Sequence, residues 1–292
     1  MAIRATSTDD RLDQLLTTVK GIRERLGRLE SQVAALLRAN MLHAPDDPIE
    51  RLDHKRFAYC SQHEEDGLIH ALFDEIGTTN KWFVEIGCGS NGGNSGLLAR
   101  ECGWSGLMVD VLKRAVRIMA RQFDGKRVTP IEARVGSANV VPLLARYRCP
   151  PEFDLLGLDI DGTDYWVLDA IVAVHRPRVI VVEYNSTFGP DAAVTIPDIQ
   201  SFERGTEGYA KLYHGASLGA LCKLAERRDY RLILTDSSGT NAVFVRNDVG
   251  SHLPGTTARE AFRYYVRHRV AVDELGDAVA HFRASGLPLV DV

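Results

Sequence analysis

Short apolar runs alternate with helical stretches from about residue 60 onward, and this alternation restricts the fold more than any other feature. Apolar strands separated by helices require a mainly parallel sheet with helices on both faces. The sequence therefore predicts a doubly wound α/β domain. The predicted strands lie at 82–86, 106–110, 128–133, 153–159 and 179–183, and the predicted helices at 65–76, 93–101, 111–123, 140–147 and 165–174.

The end of the domain departs from this alternation. A helix is predicted over 217–228, and two strands follow at 230–235 and 242–246. The turn at 236–241 is too short for a crossover helix, so these strands should form an antiparallel hairpin. We therefore expect a seven-stranded sheet that is parallel except for this C-terminal hairpin. Residues 256–285 are predicted to be helical.

The first forty residues carry a heptad pattern in which apolar residues recur three and four positions apart. Such a two-position stripe is narrower than the apolar face of most globular helices and favours a coiled coil that joins copies of the chain. The alternative is an amphipathic helix that packs on its own domain, and the mixed Leu and Val layers leave dimer or trimer open. The a positions are Leu12, Val19, Leu26 and Val33, and the d positions are Leu15, Ile22, Leu29 and Leu36.

These patterns divide the chain into four parts. We predict a coiled-coil helix over 1–41, a polar linker over 42–58, the α/β domain over 59–250 and a helical extension over 251–292. The expected assembly is a homo-oligomer formed through the N-terminal helix.

Charge and cysteine content argue against several classes of protein. The net charge of -4 argues against a nucleic-acid-binding surface, and the five scattered cysteines form no CxxC pair, so neither a zinc site nor a disulfide framework is indicated. The N-terminus has no apolar signal region, and no apolar run approaches membrane-spanning length. We expect a cytoplasmic protein without a nucleic-acid or membrane partner.

A glycine-rich loop follows the first predicted strand. Gly87, Gly89 and Gly92 fit the pattern G-x-G-x-x-G, and Asp110 ends the second strand eighteen residues later. Such a loop lets a ligand lie against the backbone, and a carboxylate at that strand end can accept hydrogen bonds from ribose hydroxyls. The pair predicts a nucleoside cofactor, either NAD or S-adenosylmethionine. Glu85, just before the glycines, suits a sulfonium better than a pyrophosphate; a tight turn without a ligand would leave Glu85 and Asp110 unexplained.

Longer runs around this loop resemble the FkbM-type methyltransferases over residues 58–248. The resemblance implies a class I methyltransferase fold of Rossmann-like type, S-adenosylmethionine as cofactor and O-methylation, often of sugars or secondary metabolites. An antiparallel strand at the end of the parallel sheet separates these enzymes from dinucleotide-binding domains. The matching runs are SQHEEDG from Ser61, FVEIGCGSNGGNSGLLARECGWSGLMVD, DLLGLDIDGTDYWVLDAI, PRVIVVEYN and GTNAVFVRND.

The resemblance also implies roles for single positions. Glu85, Gly87 and Gly89 would line the methionine end of the cofactor, and Asp110 would hold the ribose. Ala133 and Arg134 would lie beside the adenine. The chain departs from the family's usual Asp-Val-Glu-Gly after the fourth strand, because it reads Asp159-Ile160-Asp161-Gly162 with a shorter second acid. We also assign four further residues to the cofactor site: Gln62, Asn94, Ser95 and Asp159.

Acidic residues end two neighbouring predicted strands, with Asp159 and Asp161 after the fourth and Glu183 and Asn185 after the fifth. Carboxylates this close need a cationic partner, which could be a sulfonium, a substrate amine or a divalent metal. The arrangement also resembles the macrolide-sugar O-methyltransferases, which use magnesium held by such acids. We therefore predict a Mg²⁺ site at Asp159, Glu183 and Asn185, while capping of the following helix by Asp161 or Asp164 is the structural alternative.

The chemistry predicted from these features is transfer of a methyl group to a hydroxyl of a sugar, glycan precursor or glycosylated natural product. An alcohol needs a base, and Asp161 and His214 are the candidates. Two alternatives remain open at this stage: an NAD-dependent oxidoreductase on the same fold, and a non-catalytic oligomeric scaffold.

Overall fold

The computed structural model describes residues 8–41, 45–265 and 276–292, which fall into two compact units, Met1–Pro45 and Asp46–Val292. In the first unit, Thr8–Met41 form one helix, α1. The predicted seam residues that can be described on it, from Leu12 to Val33, are each more than half exposed. The helix is confirmed, and its pairing in a coiled coil stays a prediction.

The second unit is built on a seven-stranded sheet. Its strands are β1 (Trp82–Ile86), β2 (Ser105–Asp110), β3 (Val128–Glu132), β4 (Glu152–Leu158), β5 (Arg176–Glu183), β7 (Tyr230–Thr235) and β8 (Asn241–Arg246). They lie in the order β3-β2-β1-β4-β5-β8-β7. The first five strands pair in parallel, while β8 is antiparallel to both β5 and β7. This order and the C-terminal hairpin confirm the predicted doubly wound fold of class I methyltransferase type. In a separate two-stranded sheet, β6 (Val194–Thr195) pairs with β9 (Val290–Asp291).

Side chains that alternate along the central strands enter two separate cores. On β4, Leu155 packs into one core and Leu156 into the other, because successive side chains of a strand point to opposite faces. One face is covered by α6 (Val140–Arg146), α7 (Asp164–Val172) and α8 (Leu218–Arg227); the other is covered by α2 (Pro48–His54), α3 (Glu65–Ile76), α4 (Gly96–Glu101) and α5 (Lys113–Gln122).

The segment predicted as a linker contains a packed helix. The side chain of Asp47 caps α2 by accepting hydrogen bonds from the N–H groups of Ile49 and Glu50, and Leu52 is buried against α3. The sequence Asp47-Pro48 that suggested a linker is therefore a helix start, with Pro at the first helical position.

The region predicted as continuously helical is broken in the structure. Its described part holds two short helices, α9 (Ala258–Ala261) and α10 (Ala278–Ala284), while residues 266–275 lie outside the described part. Residues 262–265, which we call the strap, are extended because their backbone bonds to side chains of other elements (described below). A third small core joins α10 to the segment between β5 and α8 through Phe188, Val194, Ile196, Leu212, Tyr213 and Phe282.

Within the described ranges, every helix is too short or too polar to span a membrane.

Candidate active site

A first cleft of about 290 Å³ opens where β1, β2, β3 and β4 end. Ligands of open α/β sheets bind at such carboxyl edges. The glycine loop and the residue that ends β2 form one side of the cleft, and the turn after β4 forms another. Its lining includes Gly87, Gly89, Asp110, Ala133, Arg134, Asp159, Asp161 and Phe202.

The glycine loop is held against the end of β4. Gly87 has a φ of +83°, and a Cβ there would lie 1.5 Å from the carbonyl oxygen of Asp159. The backbone hydrogen bond from Asp159 N–H to the Ile86 carbonyl, at 2.9 Å, keeps the two segments together. Only glycine can occupy this position, since any side chain would force the segments apart.

Asp110 joins the glycine loop to the loop after β2. One carboxylate oxygen accepts the N–H of Gly89 at 2.8 Å, and the other accepts the N–H of Leu112 at 2.7 Å. Each oxygen can accept more than one hydrogen bond, so the carboxylate keeps capacity for ligand hydroxyls. Asp110 also lines the first cleft, and its binding of a ribose stays a prediction.

Glu85, Asn94 and Ser95 lie behind the glycine loop. The carboxylate of Glu85 accepts hydrogen bonds from the N–H of Asn94 and the hydroxyl of Ser95, and all three residues are buried. A Cβ at Gly157 would lie 2.1 Å from this carboxylate. Burial raises the pKa of Glu85 to about 7. The sequence assigns these residues to cofactor contact, whereas the structure gives them a supporting position outside the lining of the first cleft.

Ala133 and Arg134 line the first cleft beside the loop at 197–207. The guanidinium of Arg134 donates to the carbonyl of Phe202 at 3.4 Å and pairs with Glu203 at 3.2 Å. Arg134 thereby connects the end of β3 to a loop that supplies Ile199, Gln200 and Phe202 to the same cleft. The contact of Ala133 and Arg134 with an adenine stays a prediction.

A second cleft of about 350 Å³ lies beyond the ends of β4 and β5. Asp159 and Asp161 line both clefts, so the two spaces meet at the turn after β4. Gln62, which we assigned to the cofactor, lines this second cleft instead. The second cleft is also lined by Glu183, Asn185, Ser186, Arg204, His214, Thr240 and Tyr265.

The turn after β4 is shaped by Asp164 rather than by Asp161. The buried carboxylate of Asp164 accepts the N–H groups of Ile160 and Gly162, and burial raises its pKa to about 6. Asp161 has a φ of +56°, is 57% exposed and forms an ion pair with Arg204. Neither candidate is the N-cap of α7, which is Thr163; Asp164, the first residue of that helix, holds the turn, and Asp161 lines both clefts.

Two carboxyl groups face each other across the ends of β4 and β5. Burial raises the pKa of Asp159 well above its ordinary value, with the nearby carboxyl groups of Asp164 and Asp161 adding to the shift. Burial and the charge of Asp159 raise the pKa of Glu183 in the same way. Arg204, which bonds Asp161 on one side and the carbonyl of Lys211 on the other, opposes the rise at Glu183.

His214 lies beside Glu183 in this cleft. The imidazole is buried, with Nδ1 3.7 Å from the Oε2 of Glu183. A carboxylate next to an imidazole orients the ring and stabilises its protonated form. His214, a predicted catalytic residue, therefore lies next to Glu183, a predicted metal ligand.

Asn185 has a different position from the one predicted. Its amide nitrogen donates to the carbonyls of Leu212 and His214, at 2.7 and 2.8 Å, and its oxygen accepts the N–H of Thr187. The amide therefore fastens two loops, although the residue borders the second cleft. Three other donors could hold one cation: oxygens of Asp161 and Glu183 and a nitrogen of His214, which all lie within 4.8 Å of one another.

Arg204 and Tyr265 line the second cleft, and sequence reasoning missed both. Arg204 lies in a loop without periodic pattern, and its sequence neighbourhood carries no signal for this position. Tyr265 lies in the strap, in a region that we predicted as helix. The strap is fixed by the hydroxyl of Tyr184, which donates to the carbonyl of Arg263 at 2.8 Å, and by the hydroxyl of Ser186, which accepts the N–H of Tyr265.

No protein-family model matches the chain, and no curated protein sequence matches it. The N-terminal domain of EvdMO1, solved in the presence of SAH and D-fucose, is 14% identical, and the match covers 70% of this chain and 84% of that one with a TM-score of 0.39. An S-adenosylmethionine-dependent methyltransferase from Clostridium acetobutylicum is 12% identical over 62% of this chain and 90% of that one, with a TM-score of 0.39.

A TehB-like SAM-dependent methyltransferase from Corynebacterium glutamicum is 15% identical over 78% of this chain and 99% of that one, with a TM-score of 0.38. Identities and TM-scores this low leave the assignment of function to the geometry of the chain itself.

Proposed function

We propose that the protein is an S-adenosylmethionine-dependent O-methyltransferase whose acceptor is a saccharide or another small polyhydroxylated molecule. The observation that carries this proposal is the meeting of two clefts at Asp159 and Asp161. A transferase needs a donor site and an acceptor site that share one boundary, because the reacting atoms must approach within about 3–3.5 Å. A single cleft would not distinguish a transferase from other nucleoside-binding proteins.

The first cleft fits the cofactor by its own construction. Gly87 and Gly89 bring the backbone to the wall of this cleft, and Asp110, Ala133 and Arg134 line it as well. S-adenosylmethionine supplies an electrophilic methyl group when it is bound. The chain's own residues align the two ligands and exclude water from the boundary between them.

The second cleft fits a neutral acceptor with several hydroxyls. Asp159, Asp161 and Glu183 offer oxygens that accept hydrogen bonds from hydroxyl groups, and Arg204 and Thr240 offer donors. These features support a sugar hydroxyl as the methyl acceptor.

We propose that the pair of His214 and Glu183 removes the proton from the acceptor's hydroxyl group. The imidazole of His214 is the base, and the carboxylate of Glu183, with its Oε2 3.7 Å from Nδ1, would stabilise the protonated ring by its charge. Asp161 is a second candidate base, because its carboxylate reaches both clefts.

A divalent cation in the second cleft is the alternative to a base at His214, because an imidazole that coordinates an ion cannot also take the acceptor's proton. Asp161, Glu183 and His214 would hold it, in place of the predicted set of Asp159, Glu183 and Asn185, because the amide of Asn185 is engaged by backbone groups. Donor separations within 4.8 Å suit a single ion with ligands at about 2.0–2.5 Å. Such a cation would position acceptor hydroxyls and lower their pKa.

Calorimetry tests the cofactor site directly. We expect S-adenosylhomocysteine to bind the wild-type protein and Asp110→Ala to weaken binding by about 1.5–3 kcal/mol, the scale for hydrogen bonds to a charged group. Asp124→Ala removes an exposed carboxylate outside both clefts and should leave the affinity unchanged. A melting curve of each variant shows whether the domain remains folded.

The same titration separates the alternatives. Binding of NAD rather than S-adenosylhomocysteine would support an oxidoreductase. Binding of neither ligand, with no rise in melting temperature at ligand excess, would support a non-catalytic scaffold.

A further inference from the structure

The long N-terminal helix exposes a continuous apolar stripe. The side chains of this stripe are each 54–61% exposed. Contiguous apolar surface of this kind marks an interaction site rather than ordinary surface composition. The stripe consists of Leu12, Leu15, Leu16, Val19, Ile22, Leu26, Leu29 and Val33.

The spacing of the stripe selects its partner. With the exception of Leu16, its members alternate at three- and four-residue steps, so they form the a and d positions of consecutive heptads. A two-position seam is complementary to another seam with the same spacing, and the chain's own helix provides one. The partner that fits is therefore α1 of a second copy of this chain.

Charges beside the seam select the orientation. Arg25 occupies a g position and Glu30 the next e position, five residues later, and both side chains are exposed. In a parallel, in-register pair these two residues face each other across the interface twice, once on each side. Antiparallel pairing would instead place g positions against g positions, and these carry Arg11, Thr18, Arg25 and Gln32 without any acid.

The identity of the core residues does not by itself fix the number of strands. Val19 and Val33 at a positions and Leu15 and Leu29 at d positions follow the preference of parallel dimers, whereas Leu12 and Leu26 at a positions and Ile22 at a d position do not. We propose that α1 pairs in parallel and in register with α1 of one other copy, forming a two-stranded coiled coil that joins two Asp46–Val292 units. This pairing is independent of the proposed methyl transfer.

Charge reversal in the full-length protein tests the orientation. Arg25→Glu places like charges at both flanking contacts, and we expect the dimer dissociation constant from sedimentation to rise roughly 5- to 10-fold, since two surface pairs are affected. The double variant Arg25→Glu with Glu30→Arg should return to the wild-type value. In an antiparallel pair, Arg25→Glu would instead introduce an acid among facing g positions that otherwise carry arginine and no acid, so the dissociation constant would fall rather than rise.

Cysteine cross-linking provides an independent test of the parallel, in-register pairing. Ile22→Cys, at a d position, should form a disulfide-linked dimer on mild oxidation, because identical d residues meet in a parallel, in-register pair. Glu24→Cys lies on the outer face of the same turn and should not cross-link, which controls for the five native cysteines. A monomeric mass for the wild-type protein, a three-chain mass, or equal cross-linking of both variants would overturn the proposal.

Discussion

At the scale of single residues, the carboxyl groups of the second cleft set a dependence of stability on pH. Burial raises the folded-state pKa of Glu183 above its unfolded value of about 4.3. A raised pKa means that the folded protein binds the proton more tightly. This contribution to stability is fully present below the unfolded pKa and is lost as the pH rises through the folded pKa.

Glu183→Gln should therefore stabilise the ligand-free protein at pH 8. We expect a gain of about 1–2 kcal/mol, which corresponds to roughly 2–6 °C in melting temperature for a domain of this size, and a much smaller difference at pH 4. Asp161→Asn is the matched control, because that carboxylate is 57% exposed and Asn tolerates its positive φ. Equal melting temperatures of wild type and Glu183→Gln at pH 8 would contradict the assignment.

The same melting curves, recorded in EDTA and then with Mg²⁺ or Mn²⁺, test the cation. Wild-type protein should gain stability at pH 8 on addition of the ion, and Glu183→Gln should gain little. A wild-type curve that neither ion shifts would remove the cation from the proposed mechanism.

The residues that sequence reasoning placed well are those whose position follows from strand ends. Gly87, Asp110, Ala133 and Asp159 all line the first cleft because parallel strands end at one edge. Glu85 was assigned to the same cleft. Its position in the strand does not determine whether the carboxylate lies in the cleft or behind the glycine loop. The contacts with Asn94 and Ser95 decide that, and they depend on the path of the loop.

At the scale of elements, the strap connects the C-terminal segment to the second cleft. The hydroxyl of Tyr184 donates a hydrogen bond to the carbonyl of Arg263 and accepts one from the N–H of Arg263. The strap also packs against Gly239, and this close contact requires that residue 239 has no side chain. A Cβ at Gly239 would lie 2.6 Å from the carbonyl oxygen of Arg263. The position of Tyr265 in the cleft thus depends on contacts made by its neighbours.

Tyr184→Phe should loosen the strap without disturbing the cofactor site. Loss of two hydrogen bonds, at about 1 kcal/mol each, should accelerate amide hydrogen exchange at residues 262–265 at least 5-fold. The affinity for S-adenosylhomocysteine should not change, since Tyr184 lines only the second cleft. Tyr264→Phe alters an exposed tyrosine of the strap itself and provides the control. Exchange rates that match wild type would mean that the strap is held by other contacts.

The elements themselves show what the sequence can predict. The apolar runs predicted the strands of the sheet, and the short turn predicted the C-terminal hairpin. The structure confirms both. The strap and α2 did not follow, because both depend on tertiary contacts: α2 on burial of Leu52, and the strap on hydroxyl groups far away in sequence.

At the scale of the whole molecule, the division into two units predicts that each can be separated from the other. Deletion of residues 1–45 should leave a folded Asp46–Val292 unit, because the two cores of the sheet lie within that unit. Light scattering should give the mass of a single chain, and the affinity for S-adenosylhomocysteine should stay within about 2-fold of wild type. An oligomer of the shortened protein would locate the interface on the second unit.

The order of strands in the sheet has a consequence for synthesis of the chain. β8 lies between β5 and β7 and pairs with both, although about sixty residues separate it from β5 along the chain. Until residue 246 has left the ribosome, β5 therefore presents an unpaired edge that includes the apolar run Val179–Val182. Such an edge is a template for pairing with other chains. The nascent protein passes through an aggregation-prone stage that ends when the last hairpin closes, and messages truncated before that point should yield insoluble products.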